Sequence, residues 1–288
     1  MSTQPLPEPA AYYDRLSRWN RLARWIGYAG GSRSLTVHRA LADPDTGRSS
    51  TTRLHDLIVE ALPPLNGPRV LDAGCGLGGT LIDFAKRLGA TGIGVTLSQA
   101  QAVIARQAIA RAGLADRVRV VVHSYDDPPG GPFDLIVAIE SLAHAPAPEA
   151  SVATLASRLA PGGVFAVVDD MPTDASAAKE PQDLAVFRQG WGCPVLLTAA
   201  QYRSAFARCG LRLEADCDLT SAVSPRPLWR IAWLERLNRA AVRLLPSAGL
   251  RMVLDSHHGG LALERLYRQN RIEYRLLIAR RDPVSSGA

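Results

Sequence analysis

Asp72 stands two residues before a run of closely spaced glycines, Gly74, Gly76, Gly78 and Gly79. Glycine lets the backbone take a positive φ and lets a ligand approach with no Cβ in the way. A carboxylate beside such a bend repels a pyrophosphate and attracts a cation. The spacing is not a clean G-x-G-x-x-G, which alone would be weak evidence for a dinucleotide site. A positively charged nucleoside suits the pair better. Further along the chain come Glu140, His144 and the adjacent Asp169 and Asp170. The unperturbed pKa of histidine lets it take a proton near neutral pH, so His144 is the first candidate base. Glu140 could orient His144 or face a cation, and His144 could equally be a polar residue starting a helix. Asp169 and Asp170 are secondary candidates.

The elements that must position these groups follow from hydrophobic periodicity and from turn residues. Residues 69–72 form a short apolar run, expected as a strand that leads through the glycines into a helix ending near Leu88. Further strands are expected at 91–95, 117–122, 133–139, 164–169, 211–217 and 272–279. Ser98 should cap a helix over 99–112, and Pro161-Gly162-Gly163 should turn the chain into the fifth strand after a helix through 155–159. Helices are also expected at 52–62, stopped by Pro63 and Pro64, and at 199–209, with 43–52 as a loop. Residues 1–10 should be loose. Over residues 11–26, Tyr12, Tyr13, Leu16, Trp19, Leu22, Ala23 and Ile26 recur at helical spacing. That helix either packs on the core or forms a lid, with Tyr12 or Tyr13 reaching the site. Two segments, 171–198 and 220–270, interrupt the alternation as insertions. In the second, Trp229, Trp233, Leu237, Ala240 and Leu244 recur along a helix flanked by Arg236, Arg239 and Arg243. Three readings stand: a cap packed on the core, a cover over an apolar substrate, or attachment to a membrane surface.

Three segments carry a family resemblance. Val-Leu-Asp-Ala-Gly-Cys-Gly-Leu-Gly-Gly-Thr, residues 70–80, resembles motif I of the class I methyltransferases that use S-adenosylmethionine (SAM). Gly-Val-Thr-Leu-Ser-Gln-Ala-Gln, residues 94–101, is similar to a segment of the cyclopropane-fatty-acid synthase and sterol methyltransferase branch. Glu-Ser-Leu-Ala-His-Ala-Pro, residues 140–146, resembles the motif after strand four in sterol, tocopherol and related small-molecule methyltransferases. The resemblance implies an α/β fold: a doubly wound, seven-stranded Rossmann-like sheet with its last strand antiparallel, N-terminal helices and a helical cap inserted between the last strands. It implies SAM as cofactor, held by Asp72, Gly74, Gly76, Thr96, Gln101, Ser124, Tyr125, Asp126 and Glu140. Thr96 and Gln101 would bind the sugar. This replaces the acid that a dinucleotide site carries at the end of its second strand, where this chain reads Gly94. Tyr125 and Asp126 would read adenine, although residues 126–129 are also an ordinary turn. The expected organisation is a lid segment over 1–66, the SAM-binding core over 67–219, the cap over 220–270, and the last strand and tail over 271–288.

Composition bounds the rest. The chain has 288 residues, 47 % of them hydrophobic, and a net charge of +6 carried almost wholly by arginine. That charge suits an acidic partner or reflects arginine-rich codon usage. Cys75, Cys193, Cys209 and Cys217 show no metal-ligand or disulfide spacing, and a reducing compartment is the default. No signal pattern or apolar run of the ~18 residues needed to span a membrane is present. A cytoplasmic, soluble enzyme with no metal is expected, its oligomeric state left open. It would methylate carbon, nitrogen or oxygen on a small, hydrophobic acceptor such as an isoprenoid or natural product. Residues 140–146 lack the Asn/Asp-Pro-Pro-aromatic motif of nucleic-acid amino-methyltransferases, so no nucleic-acid acceptor is expected. The alternatives are an NAD-dependent oxidoreductase, which Asp72 opposes, and a non-catalytic SAM-binding module.

Overall fold

The computed structural model describes residues 35–36, 38–244 and 248–283. The expected helix of residues 11–26, with Tyr12 and Tyr13, and the loose residues 1–10 lie outside the described residues, as do the side chains of Arg243 and Leu244.

A small antiparallel hairpin, with β1 (Leu41–Ala42) just before the stretch expected as a loop and β2 (Ser49–Ser50) inside it, precedes helix α1 (Thr52–Ala61). Then strands and helices alternate: β3 (Arg69–Ala73), α2 (Gly79–Arg87), β4 (Thr91–Thr96), α3 (Gln99–Arg111), β5 (Val118–Val122) and β6 (Phe133–Ile139). Next come α4 (Pro148–Ser157), β7 (Leu159–Pro172), α5 (Asp174–Ala178), α6 (Gln182–Trp191), α7 (Ala199–Arg208) and β8 (Leu211–Asp218). Helices α8 (Leu228–Leu244) and α9 (Ala248–Arg268) precede β9 (Ile272–Arg281).

The main sheet has seven strands in the order β5-β4-β3-β6-β7-β9-β8. Strands β3 to β7 pair in parallel, and β9 runs antiparallel between β7 and β8. Both faces are covered, so the central strands are apolar without alternation in polarity. Their side chains still alternate in direction. Val70, Leu135, Val137, Val164 and Ala166 enter one core with Leu54, Ile58 and Phe84. Leu71, Ile136, Ala138, Phe165 and Val167 enter the other with Leu155, Tyr202 and Phe206. The chain moves outward from β3 through β4 to β5, then returns to the other side of β3 with β6. The crevice at the carboxyl ends of β3 and β6 is therefore the switch point at which open α/β sheets bind ligands.

Two expectations are corrected. The fifth strand begins at Leu159 rather than after Pro161-Gly162-Gly163, because Phe133 already pairs with Leu159. Phe133 N also donates to Arg158 O at 2.9 Å, and the Pro-Gly-Gly stretch is absorbed as a register shift. The apolar stripe of α8 does not pack on the core. Ile231, Glu235 and Asn238 face inward, whereas Trp229, Trp233 and Leu237 are exposed. Periodicity alone does not say which face of a helix is buried.

Candidate functional site

The bend after β3 is built by close approach. Gly74 has φ +98°, and a Cβ there would lie 2.4 Å from Ser141 Cβ. Ser141 Oγ donates to Ala73 O at 2.6 Å, so the loops after β3 and β6 are stitched together at the switch point. The amides of Gly74 and Cys75 both donate to Val95 O, at 3.1 and 2.9 Å. Gly76 follows with φ +50°.

Asp72 is the penultimate residue of β3, at the carboxyl end of the strand, between Gly94 and Val137 in register. It is 3 % exposed, and its Oδ2 is buried with no hydrogen-bond partner among the described residues. Burial pushes its carboxyl up to about 7, with no cation among the described residues to oppose the shift. A buried carboxylate without a partner is costly. A bound cation would supply what the chain withholds, and the residues present therefore fit a cationic ligand.

Strand β4 continues to Thr96, so the residue at its end is Thr96 and not Gly94. Gly94 is glycine for packing: a Cβ there would lie 2.6 Å from Leu81 and 2.7 Å from Cys75. Thr96 and Gln101 are both buried, and Thr96 Oγ1 donates to Gln101 Oε1 at 2.8 Å. Ser98 Oγ caps α3 by accepting from Gln101 N at 3.2 Å. The structure thus brings Thr96 and Gln101 together, one turn of helix from the strand end.

After β5, Ser124, Tyr125 and Asp126 lie in one loop. Asp126 is held by the hydroxyls of Ser151 and Ser124. The hydroxyl of Tyr125 donates to Ser141 O at 3.1 Å, which ties this loop to the same crevice.

The residues after β6 face a buried polar cluster. Glu140 holds a left-handed backbone, φ +48°, which a non-glycine residue adopts at a cost of about 1 kcal/mol. Its Oε1 accepts from Arg39 N at 2.9 Å and from the Tyr274 hydroxyl at 2.8 Å. Its Oε2 accepts no hydrogen bond among the described residues. Among the described residues no hydrogen bond joins His144 to Glu140; His144 Nδ1 lies 3.4 Å from Gly192 O and 3.9 Å from Cys193 Sγ. Burial lowers its pKa to about 4, so the ring is neutral at pH 7. Asp169 accepts from the amides of Ala143, at 3.0 Å, and Asp170, at 2.9 Å, and bridges the two strand ends. Asp170 takes Arg39 at 3.1 Å and the Tyr267 hydroxyl. Burial raises both carboxyls, with Arg39 opposing the shift at Asp170.

Arg39, Tyr267 and Tyr274 are the residues that sequence reasoning missed. Arg39 lies over both rings, 5.0 Å from the centroid of Tyr267 and 5.5 Å from that of Tyr274. Its segment is anchored next door, where His38 Nε2 and His55 Nε2 share a hydrogen bond of 3.0 Å. No spacing rule joins positions that far apart.

Comparison with known proteins places the chain in a family. Residues 47–216 match a family model described as a methyltransferase domain. The 27-O-demethylrifamycin SV methyltransferase of Amycolatopsis mediterranei is 30 % identical over 227 residues, 76 % of this chain and 82 % of that protein. A sterol 24-C-methyltransferase of Eremothecium gossypii is 30 % identical over 56 % of this chain; the match spans only 45 % of that longer protein. Among solved structures, the cyclase SpnF superposes with a TM-score of 0.73 at 21 % identity, covering 98 % of this chain and 100 % of that one. Geranyl diphosphate C-methyltransferase from Streptomyces coelicolor A3(2) gives 0.66 at 19 % identity, covering 98 % and 100 %. These two likenesses concern the fold.

Proposed function

The chain belongs to the class I SAM-dependent methyltransferases, in their small-molecule branch, and from that premise we propose that it methylates a small hydrophobic acceptor in the crevice between β3 and β6. The observation that carries this is the orphaned Oδ2 of Asp72, buried beside a bend that only glycine fits. SAM, when bound, supplies an activated methyl on a sulfonium centre. Asp72 is proposed to hold the positively charged amino-acid portion, with the amides of the glycine bend beside it. Thr96 and Gln101 take the sugar, and Tyr125 with Ser124 and Asp126 borders the base. Asp72, Thr96 and Gln101 are buried and Tyr125 and Ser124 half-buried at the carboxyl edge of the sheet, whereas Asp126 is exposed; the buried groups are expected to exclude water and preserve alignment.

The acceptor side is assigned to Glu140, His144, Asp169 and Asp170. Two carboxyl groups, Glu140 and Asp170, and two tyrosines surround Arg39 there, with Asp169 next to Asp170. Such a cluster suits an acceptor that gains positive charge or gives up a proton. With a pKa near 4, His144 is a weak base at pH 7 and serves best as a neutral hydrogen-bond acceptor that orients the nucleophile. Glu140 presents its open oxygen to the developing charge. Helix α9, through Tyr267, closes the site from the side of residues 220–270. The protein is proposed to act in the cytoplasm, and not on nucleic acid.

Two outcomes test these roles. Thr96→Val is expected to weaken SAM binding about tenfold, and adding Gln101→Ala to cost less than the sum of the single changes, since the two share one hydrogen bond. Calorimetry on the four proteins measures this. His144→Gln is expected to lower turnover about tenfold while SAM affinity stays unchanged; unchanged turnover would remove His144 from the chemistry. The activity itself is tested by incubating the protein with methyl-labelled SAM and a panel of isoprenoid, polyketide and alkaloid acceptors. Transfer of label, with S-adenosylhomocysteine formed in equal amount, supports the proposal; no transfer to any acceptor despite SAM binding favours a non-catalytic module.

A further inference from the structure

Helix α8 shows an apolar stripe to solvent. Leu228 is 55 % exposed, Trp229 72 %, Trp233 55 % and Leu237 48 %. Trp229, Trp233 and Leu237 repeat every four residues, so they lie along one line of the helix. The opposite line packs inward: Ile231 is fully buried, Asn238 donates to Leu254 O of α9 at 2.8 Å, and Glu235 pairs with Arg265. Arg230, Arg236 and Arg239 are exposed and flank the stripe. Glu235 is the only acid in the helix, and it is buried. The outward face therefore carries indole and leucine side chains, arginine and no negative charge.

We propose that this face docks on an anionic lipid surface, with α8 lying in the plane of the headgroups. Indole rings favour the interface between water and acyl chains, and flanking arginines meet lipid phosphates. The helix has 17 residues, and among the described residues no helix is long and apolar enough to cross a membrane. The contact is thus peripheral. A second copy of the chain is a poor occupant, because a symmetric contact would bring arginine flanks together with no acid between them. The inward face of α8 rests on α9, and α9 carries Tyr267 into the polar cluster. Docking would set the acceptor side of the site near the phase in which a hydrophobic acceptor dissolves.

The test is sedimentation of the full chain with vesicles, without SAM or acceptor, so its outcome is independent of the methyl-transfer reading. Vesicles of phosphatidylglycerol and phosphatidylcholine are compared with phosphatidylcholine alone, at low and high salt. The protein is expected to sediment with the anionic vesicles and to be released by salt. The triple variant Trp229→Ser, Trp233→Ser, Leu237→Ser and the triple variant Arg230→Gln, Arg236→Gln, Arg239→Gln are each expected to bind at least about tenfold more weakly. Their melting curves and SAM affinity, read in parallel, should match the wild type and show that they fold. Failure to sediment, equal binding to both vesicle types, or variants that bind like the wild type would overturn the proposal. So would dimers in light scattering that the tryptophan variant abolishes, with no vesicle binding.

Discussion

Asp72→Asn is expected to weaken SAM binding by about 100-fold or more while making the ligand-free protein more stable above neutral pH. The two effects share one cause. The Asp72 carboxyl is buried, one of its oxygens has no partner among the described residues, and its pKa stands at about 7 in the folded chain. In the unfolded chain it stands at about 4. Between those values the folded state keeps a proton that the unfolded state has lost. Stability of the ligand-free protein therefore falls as pH rises from about 4 through 7, by at most about 4 kcal/mol in all. Asparagine carries no charge to bury, so the variant escapes this loss, and its melting temperature at pH 8 is expected to exceed that of the wild type. SAM affinity runs the other way. Only the ionised carboxylate pairs with a cation, so wild-type affinity is expected to rise as pH passes through about 7, and the variant's to stay flat. Thermal melts and calorimetry across this range check both halves. A variant with unchanged affinity would remove Asp72 from the binding site.

The second large effect concerns Gly74. Gly74→Ala places a Cβ 2.4 Å from Ser141 Cβ, on a backbone with φ +98°. Ser141 cannot retreat freely, because its hydroxyl holds Ala73 O and its carbonyl receives Tyr125. The three loops at the switch point would have to part. Gly113→Ala is the internal control: φ is +69°, but nothing lies within 4 Å of the added Cβ. The control is expected to lose about 1 kcal/mol, the ordinary strain of a left-handed alanine. Gly74→Ala is expected to lose about 3 kcal/mol or more and to bind SAM too weakly to measure. Urea unfolding of the two variants separates strain from collision; equal losses would mean that the bend tolerates a side chain.

What could be read in the sequence was local. Asp72 and its glycines are neighbours in the chain, and the apolar runs of β3 to β7 announce a sheet buried on both faces. Thr96 and Gln101 stand five residues apart, a strand end and the first turn of a helix. The acceptor side was only half legible. Glu140 and His144 follow one strand, Asp169 and Asp170 lie near the end of another, and all four could be named. Arg39 arrives from a segment about a hundred residues earlier, and Tyr267 and Tyr274 from far beyond. Only the sheet order, with β9 inserted beside β7, brings them together. In α8 the period was plain and the orientation was not: a helix with glutamate and asparagine facing inward inverts the usual rule.

The central claim is that the crevice at Asp72 is shaped for a positively charged nucleoside donor. Calorimetric titration of the wild-type protein with SAM, and in parallel with NADH, tests it most directly. The account predicts a single SAM site with a dissociation constant on the order of micromolar, and no heat with NADH. Binding of NADH in place of SAM, or of neither, would contradict it.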